Sequence, residues 1–179
     1  MTHQDIISFW FKEIDPKAWW VKDGEFDQLI KTRFLKTLQA ACNDELIEWR
    51  SCPEGRLAEI IVLDQFSRNI YRDLPEAFEN DSLAMALTQE AILNRCDEDL
   101  PPRQRAFLYM PLMHSESPFI HVQAERLFKQ EGMESSYEFE LKHKAIIDRF
   151  GRYPHRNAIL GRVSTPEEEA FLQQPGSSF

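Results

Sequence analysis

The sequence predicts an all-α fold of about eight to ten helices, and three features of its pattern indicate this. Apolar residues recur at three- and four-residue spacing along most of the 179 residues, which is the period of an amphipathic helix. Helix start signals (Ser, Thr, Asp or Pro before an apolar run) divide these segments and leave only short connections. No segment alternates apolar and polar residues for long enough to indicate a strand.

The first helix begins at Thr2 and Asp5, which have capping-box-like spacing, and we expect it to end at Asp15-Pro16. Trp19 and Trp20 lie in the connection that follows, where we expect both rings to pack against helices.

Asp23 is the predicted N-cap of the second helix, and Asn43-Asp44 marks the break after it. The apolar stripe predicted for this helix consists of Phe26, Leu29, Ile30, Phe34 and Leu38.

Pro53 opens the next helix at the position that proline tolerates best. Its middle, Ile60 to Leu63, is apolar on every side, which predicts a central helix. Asp81 is the predicted N-cap of the helix after that. Pro101-Pro102 precedes another, which we expect to end at Met113.

Ser117 and Pro118 begin a helix that we expect to run to about Gln130. A capping box at Ser135 and Glu138 predicts the next helix, which ends at Phe150.

Gly151 is the expected left-handed residue after that helix, and Pro154 begins a short helical turn that ends at Gly161. Thr165-Pro166-x-Glu168 is a cap, a proline at the first helical position and a glutamate at the third, which predicts a final helix. We expect one domain over 1–179, with a frayed tail at 175–179.

Composition is that of an ordinary soluble protein, with 42% hydrophobic and 28% charged residues. The net charge of −9 argues against nucleic-acid binding, which requires a basic face. No window has the ~18 apolar residues of a membrane span, and the N-terminus lacks the pattern of a signal peptide. Three cysteines, Cys42, Cys52 and Cys96, lack metal-type spacing, which favours free thiols and a cytoplasmic location. The oligomeric state stays open.

Positive charge is concentrated in one part of this acidic chain, residues 143–165. Five cations and one acid occur there: Lys144, Arg149, Arg152, Arg156 and Arg162, with Asp148. A local positive charge on an acidic background favours a site for an anion or for an acidic partner segment.

A second polar segment is LDQFSRNIYR, residues 63–72. Asp64, Arg68 and Arg72 follow one another at four-residue spacing, which would place them on one helix face, and Gln65 and Asn69 form a parallel pair. One interpretation is that Asp64 holds Arg68 toward an anionic ligand. The commoner alternative is an ion pair that fixes the register of the helix.

Histidines supply the candidates for chemistry. His114 is followed by Ser115 and Glu116, but neighbouring residues rarely form a catalytic triad and no G-x-S-x-G elbow is present. His143 lies within an apolar stripe, where a histidine is more often a hydrogen-bonded core residue than a ligand. Together with His155, these groups could supply the three ligands of a catalytic zinc, yet none has the spacing of a zinc motif. The sequence therefore predicts neither a metal nor a cofactor.

The turn at 151–162 combines Pro154 with Arg152, His155, Arg156 and Arg162. Backbone N–H groups at the start of this turn could bind an anion beside the cationic side chains. Alternatively, the arginines cap the carbonyls of nearby helix C-termini. Both interpretations stay open.

Three motifs in order, LDQFSRNIYR, RAFLYMPLMHSE and FGRYPHRN followed by AILGR and STPEE, resemble the domain of unknown function 924 family, whose members are mostly bacterial. The resemblance implies a compact α-α superhelix of the tetratricopeptide-like kind, and it implies no reaction. The polar and turn positions that match these motifs are Asp64, Gln65, Arg68, Asn69, Arg72, His114, Ser115, Glu116, His143, Gly151, Arg152, Pro154, His155, Arg156, Asn157 and Arg162.

These observations favour a binding module whose inner surface receives an anionic small molecule or an acidic peptide segment. The candidate ligand-binding residues are Asp64, Arg68, Asn69, Arg72, Arg152, His155, Arg156, Asn157 and Arg162. A first alternative is a hydrolase, with or without a metal, whose candidate catalytic residues are His114, Glu116, His143 and His155. A second alternative is a polar network with a purely structural role.

Overall fold

The computed structural model describes residues 1–178, and over this range the chain forms nine α-helices and no β-strand. The helices are α1 (His3–Ser8), α2 (Gly24–Cys42), α3 (Pro53–Ile61), α4 (Ser67–Ile70), α5 (Asp81–Leu93), α6 (Pro102–Met113), α7 (Pro118–Phe128), α8 (Glu134–Phe150) and α9 (Pro166–Leu172). The all-α prediction and the expected number of helices are confirmed. The tetratricopeptide-like superhelix stays a prediction.

Shorter helical turns join several of these helices. Two are π-helical, at Phe9–Glu13 and Val62–Phe66, and four are 3₁₀ turns: Pro16–Trp20, Ile47–Ser51, Pro75–Ala77 and Pro154–Arg156. The second π turn joins α3 to α4, so that 53–70 is helical throughout and passes through the molecule. Every residue of this π turn is buried, which confirms the prediction of a central helix.

Aromatic rings fill much of the core where α1, α2 and the 62–66 turn meet. The ring of Phe34 lies 4.7 Å from that of Phe9 and 4.8 Å from that of Phe66, measured between centroids. Farther along the chain, α6 packs between α5 and α7, and α7 packs on α8. The helices α5, α6 and α8, with the turn after α8, surround the polar cluster described below.

Three predicted helix starts are confirmed in their hydrogen bonds. Thr2 and Asp5 form a reciprocal capping box, and Asp23 accepts from two backbone N–H groups at the start of α2. Thr165 and Glu168 form the second reciprocal box, at the start of α9. Each of these signals is local, because the residues involved lie within three positions of one another.

Other local predictions are wrong. The helix predicted from a capping box at Ser135 begins at Glu134, after Met133, and has no side-chain cap. Trp20, which we expected to pack against helices, is 61% exposed, although its ring stacks on Phe139 with centroids 6.1 Å apart. Leu29, which we expected in the apolar stripe of α2, is also exposed. In both cases the apolar pattern overestimated burial, because one face of the element meets solvent.

The C-terminal segment turns twice at glycine. Gly151 and Gly161 both have a left-handed backbone, with φ of 69° and 65°, which is costly for other residues. These turns fold the segment back on α6 and α9. Ser177 is buried against the end of α9. The last residue of the expected frayed tail, Phe179, lies outside the described residues.

Candidate functional site

Asp64 is the centre of a buried polar cluster. Its carboxylate is 1% exposed and accepts from Gln65 Nε2 at 2.6 Å and from His114 Nδ1 at 2.8 Å. Arg68 lies one helical turn on, with its NH1 group 3.1 Å from the carboxylate and 2.9 Å from the Asp64 carbonyl. Burial alone would raise the pKa of Asp64, but the positive charge of Arg68 and the bond from His114 hold it below its ordinary value.

The state of His114 follows from these contacts. An ionised carboxylate can only accept, so the Nδ1 of His114 carries the hydrogen that it shares with Asp64. Burial and the nearby Arg68 guanidinium lower the pKa of His114, so the ring is neutral at pH 7. Nε2 is therefore the ring nitrogen with a lone pair that can accept a proton.

Asp81 joins two arginines that lie far apart in the sequence. Arg68 binds both of its carboxylate oxygens, at 2.9 Å and 3.0 Å, and Arg156 approaches at 3.4 Å. Asp81 is the first residue of α5, and the N-cap is Asn80, which makes no side-chain cap hydrogen bond. The prediction that Asp81 caps this helix is wrong, because its side chain turns to the guanidinium groups instead.

Three side chains bind the carbonyls of Met113, His114 and Ser115, at and just after the C-terminal end of α6. The last carbonyls of a helix have no partner within it, so they need outside donors. Tyr153 donates its hydroxyl to the Met113 carbonyl, and Arg156 donates to the His114 carbonyl at 3.0 Å. His121 donates from Nε2 to the Ser115 carbonyl at 2.8 Å. The backbone on both sides of His114 is thus held by α7 and by the turn after α8.

Arg156 differs from the other arginines of the cluster in how few acceptors it has. A guanidinium has five N–H donors, and in Arg156 two of them have acceptors, Asp81 and the His114 carbonyl. Its Nε has no hydrogen-bond partner, although the side chain is only 8% exposed. Its guanidinium carbon lies over the rings of Phe78 and Tyr153, 4.7 Å and 4.6 Å from their centroids. Burial and repulsion from Arg68 lower the pKa of Arg156.

A cleft of about 420 Å³ opens beside this arginine, between the start of α5 and the end of α6. This volume lies within the usual range for small-molecule sites. Its polar wall consists of Glu79, Asp81, Ser82, His114, Ser115, Glu116 and Arg156. Its apolar wall consists of Pro75, Phe78, Met85, Pro111 and Leu160.

Three further histidines lie around Tyr153, behind the cleft. Ring centroids are 5.5 Å from Tyr153 for His155, 5.7 Å for His143 and 6.4 Å for His121. Burial lowers the pKa of His143 to about 3, and burial with the nearby Arg156 lowers that of His155 to about 4. Both rings are therefore neutral at pH 7.

His121 and Glu140 form a fully buried pair, with Nδ1 and Oε1 2.7 Å apart. Burial raises the pKa of Glu140, so its carboxyl holds a proton more readily than an exposed glutamate does.

Glu116 and Arg162 form a second network at the rim of the cleft. Arg162 binds both carboxylate oxygens of Glu116, at 2.6 Å and 2.9 Å, and also contacts Asn157 and the Tyr153 carbonyl. Glu116 in turn accepts from the Tyr153 backbone N–H at 2.7 Å. Burial alone would raise the pKa of Glu116, but the bonds from Arg162 and from the Tyr153 backbone N–H, together with the nearby guanidinium charges, lower it overall. This network fixes the turn that carries Arg156.

The sequence matches the model of a family described as bacterial protein of unknown function (DUF924), over residues 6–176. The chain belongs to this family. The solved structure of a protein of unknown function from Agrobacterium tumefaciens, ATU0120, is 36% identical, with a TM-score of 0.91 and 96% of each chain covered. No curated protein matches the sequence. The family resemblance predicted from the three motifs is confirmed.

The structure of this DUF924 protein brings together residues from all three motifs, since Asp64, Arg68, His114 and Arg156 meet in one cluster. His143 adjoins it, with its ring 6.4 Å from that of His114. Ser115 lines the cleft, but its hydroxyl accepts from the Ser117 backbone N–H and makes no hydrogen bond with the His114 imidazole, so no Ser–His nucleophile is formed.

Other predicted ligand residues lie elsewhere. Arg72 does not share a face with Asp64, because α4 ends at Ile70, and it forms a two-pronged pair with Asp27. Asn69 also binds Asp27, at 2.8 Å, rather than pairing with Gln65.

Arg152 likewise points away from the cleft. It binds both carboxylate oxygens of Glu168, at 2.7 Å and 2.8 Å, and the Val163 carbonyl. For Arg72 and Arg152, the structure favours a role in holding helices together.

Several side chains of the cluster were not predicted from the sequence. Asp81 was assigned to a helix cap, and Tyr153, Phe78, His121 and Glu140 were not singled out. Within residues 1–178, no group of three or more His, Cys, Asp or Glu side chains is arranged to hold a metal ion. Over the same range, no helix combines the length and the apolar character that crossing a membrane requires.

Proposed function

We propose that this DUF924 protein is a binding module that takes the anionic group of a small molecule in the cleft between α5 and α6. The observation that carries the proposal is the state of Arg156. Its guanidinium is buried at the wall of the cleft and has acceptors for two of its five donors. Arg162, by comparison, makes four hydrogen bonds.

The charge of Arg156 is only partly compensated by its neighbours. A buried cation is costly unless it is paired and hydrogen-bonded. Asp81 is the nearest carboxylate to Arg156, but Arg68 already binds both of its oxygens. A ligand carboxylate or phosphate beside Arg156 would supply acceptors in a partly water-excluded site, where charge-assisted hydrogen bonds are strong.

The shape of the cleft favours a small molecule over an acidic peptide segment. A volume of about 420 Å³ suits a compact ligand. Of the arginines that could have extended the site along a peptide, Arg72 and Arg152 are paired with Asp27 and Glu168.

Thermal-shift and calorimetric titrations with inorganic phosphate, N-acetyl-leucine and hexaglutamate test this proposal. We expect at least one of the two small anions to raise the melting temperature and to bind with a 1:1 stoichiometry, and hexaglutamate to bind more weakly. The variant Arg156→Gln should abolish the effect. Arg149→Gln is the matched control, because it removes an exposed cation near the C-terminal end of α8 that is paired with Glu167 and does not line the cleft.

Arg156→Gln also removes a cap of α6, so a folding defect could mimic a binding defect. Leu160→Trp avoids this difficulty, since it keeps the arginine and fills the cleft that Leu160 lines. Loss of binding in this folded variant supports the proposal. If no small anion binds to the wild-type protein, or if Leu160→Trp binds as tightly as the wild type, the arginine cluster is structural.

A second candidate function, hydrolysis, is favoured by the state of His114. A neutral imidazole oriented by a buried carboxylate, with Nε2 able to take a proton, is the arrangement of a general base. It could activate a water molecule against an ester bound at Arg156. Turnover of p-nitrophenyl acetate and p-nitrophenyl phosphate that is lost in His114→Gln but kept in His3→Gln would support it. Equal rates in the two variants would remove it.

We also propose that the protein is cytoplasmic and does not bind nucleic acid. A cytoplasmic location is supported by Cys42, Cys52 and Cys96, which are free thiols. The absence of nucleic-acid partners is supported by the net charge of −9.

A further inference from the structure

We infer that the ligand of the α5–α6 cleft is a zwitterion that carries an ammonium group as well as a carboxylate, and has the size of an amino acid with an apolar side chain. This inference rests on the proposed function, because it assumes that Arg156 receives the carboxylate. It adds a second recognition group, Glu79, to which no role has so far been given.

The wall of the cleft carries more acidic than basic side chains. Its lining contains three carboxylates (Glu79, Asp81 and Glu116) and a single guanidinium, that of Arg156. Physiological salt screens exposed charges only beyond about 8 Å, so it does not fully shield an anion bound beside Arg156 from carboxylates that line the same cleft. Arg68 and Arg162 offset the charges of Asp81 and Glu116, so a ligand with only negative charge would gain Arg156 but be repelled by Glu79.

The three carboxylates of the cleft differ in whether a cation is already bound to them. Asp81 is bound by Arg68 and approached by Arg156. Glu116 is bound on both oxygens by Arg162 and accepts from a backbone N–H. The Glu79 carboxylate makes no hydrogen bond or ion pair with any other residue between 1 and 178. It is thus the acid of the cleft that is left to receive a cationic group.

The cleft also has an apolar wall. Phe78, Met85, Pro111 and Leu160 line the cleft together with these charges. Pockets of this kind bury an apolar body and use a few polar groups to fix its orientation. A carboxylate at Arg156, an ammonium group toward Glu79 and an apolar side chain against Met85 and Leu160 satisfy all three parts of the lining at once.

Calorimetric titration of the full chain with three related probes tests the inference. Leucine carries both charges, N-acetyl-leucine lacks the ammonium group, and leucinamide lacks the carboxylate. We expect leucine to bind about two- to fivefold more tightly than N-acetyl-leucine, because Glu79 lies at the exposed rim of the cleft, and at least about tenfold more tightly than leucinamide, because Arg156 is buried. In Glu79→Gln, the advantage of leucine over N-acetyl-leucine should disappear while the affinity for N-acetyl-leucine is kept. Glu76→Gln is the matched control, since Glu76 lies three residues away and does not line the cleft.

The outcomes distinguish failure of the zwitterion inference from failure of the anion site at Arg156. If N-acetyl-leucine binds as tightly as leucine, or Glu79→Gln keeps the preference for leucine, the zwitterion inference is wrong and the anion site stands. If leucinamide binds best, the anion site is wrong as well. If none of the three probes binds, the inference is overturned, and the titration with phosphate then decides whether an anion site exists.

Discussion

Mild acid should destabilise this protein through its buried histidines, and His143 gives the clearest case. Its side chain hydrogen-bonds from Nδ1 to the Phe139 carbonyl at 2.8 Å, and burial lowers its pKa from 6.5 to about 3. Because the folded-state pKa lies below that of the unfolded chain, the unfolded chain takes up the proton first as the pH falls. The stability that His143 contributes is therefore complete above pH 6.5 and is lost between pH 6.5 and about pH 3.

The size of the loss at pH 5.0 follows from linkage. Between pH 6.5 and 5.0 the unfolded chain gains the free energy of protonation, about 1.4 kcal/mol for each pH unit, which gives about 2 kcal/mol for His143. This figure hardly depends on the folded-state pKa, since pH 5.0 lies well above it. In a chain of this length a change of about 2 kcal/mol corresponds to about 4–8 °C in melting temperature.

Urea denaturation of the wild type and of His143→Gln at pH 7.5 and pH 5.0 measures this contribution. We expect the wild type to lose about 2 kcal/mol more than the variant between the two pH values. His3→Gln controls for the removal of a histidine, because His3 is on α1, beside Trp49 and away from the cluster. Equal losses in the wild type and His143→Gln would refute the argument that His143 is buried in its neutral form.

Three further predictions concern the ion pairs and are measured by the same denaturation assay. Asp64→Asn should lower the free energy of unfolding by about 3 kcal/mol, because it removes the buried partner of Arg68. A loss below about 1 kcal/mol would show that the pair is not buried in solution. Arg152→Ala should lower the stability by breaking the pair with Glu168, and it should leave the calorimetric affinity for small anions unchanged. A fall in affinity would place Arg152 in the site. Glu140→Gln should lower the free energy of unfolding less than Glu140→Leu does, since an amide can replace the buried carboxyl in its hydrogen bond with His121. A larger loss in Glu140→Gln than in Glu140→Leu would contradict this hydrogen bond.

Local signals explain why much of the helix pattern could be predicted from the sequence. Thr2 with Asp5, and Thr165 with Glu168, meet their partners within one turn, so the spacing alone determines the contact. The same reasoning failed at Ser135, where the N-cap is Met133, two residues earlier, and no side-chain cap forms. A spacing shows that a cap can form, whereas the packing of the helix start determines whether it does.

The candidate site could be predicted in part, because its residues come from motifs that stood out. The motifs did not show which arginines share a partner. Arg152 and Arg156 lie four residues apart in the same cationic stretch, yet one binds Glu168 and the other lines the cleft. Net local charge cannot separate them, since each depends on an acid supplied by another helix.

Asp81 shows the same limit more strongly. An aspartate before an apolar run is a normal helix start, and nothing near it in the sequence suggests an arginine partner. Arg68 lies 13 residues before it and Arg156 lies 75 residues after it. Only the approach of α5 to the C-terminal turn makes Asp81 a shared acceptor, and that approach is a property of the tertiary fold.

The most direct measurement is nuclear magnetic resonance of the arginine side chains during a titration with N-acetyl-leucine. The Arg156 signal can be assigned by its loss in Arg156→Lys. We predict that this guanidinium shifts and that its N–H groups exchange more slowly with water, while the Arg152 signal stays unchanged. A titration in which Arg156 stays still, whether or not other arginines respond, would contradict the claim that its unpaired donors receive an anion.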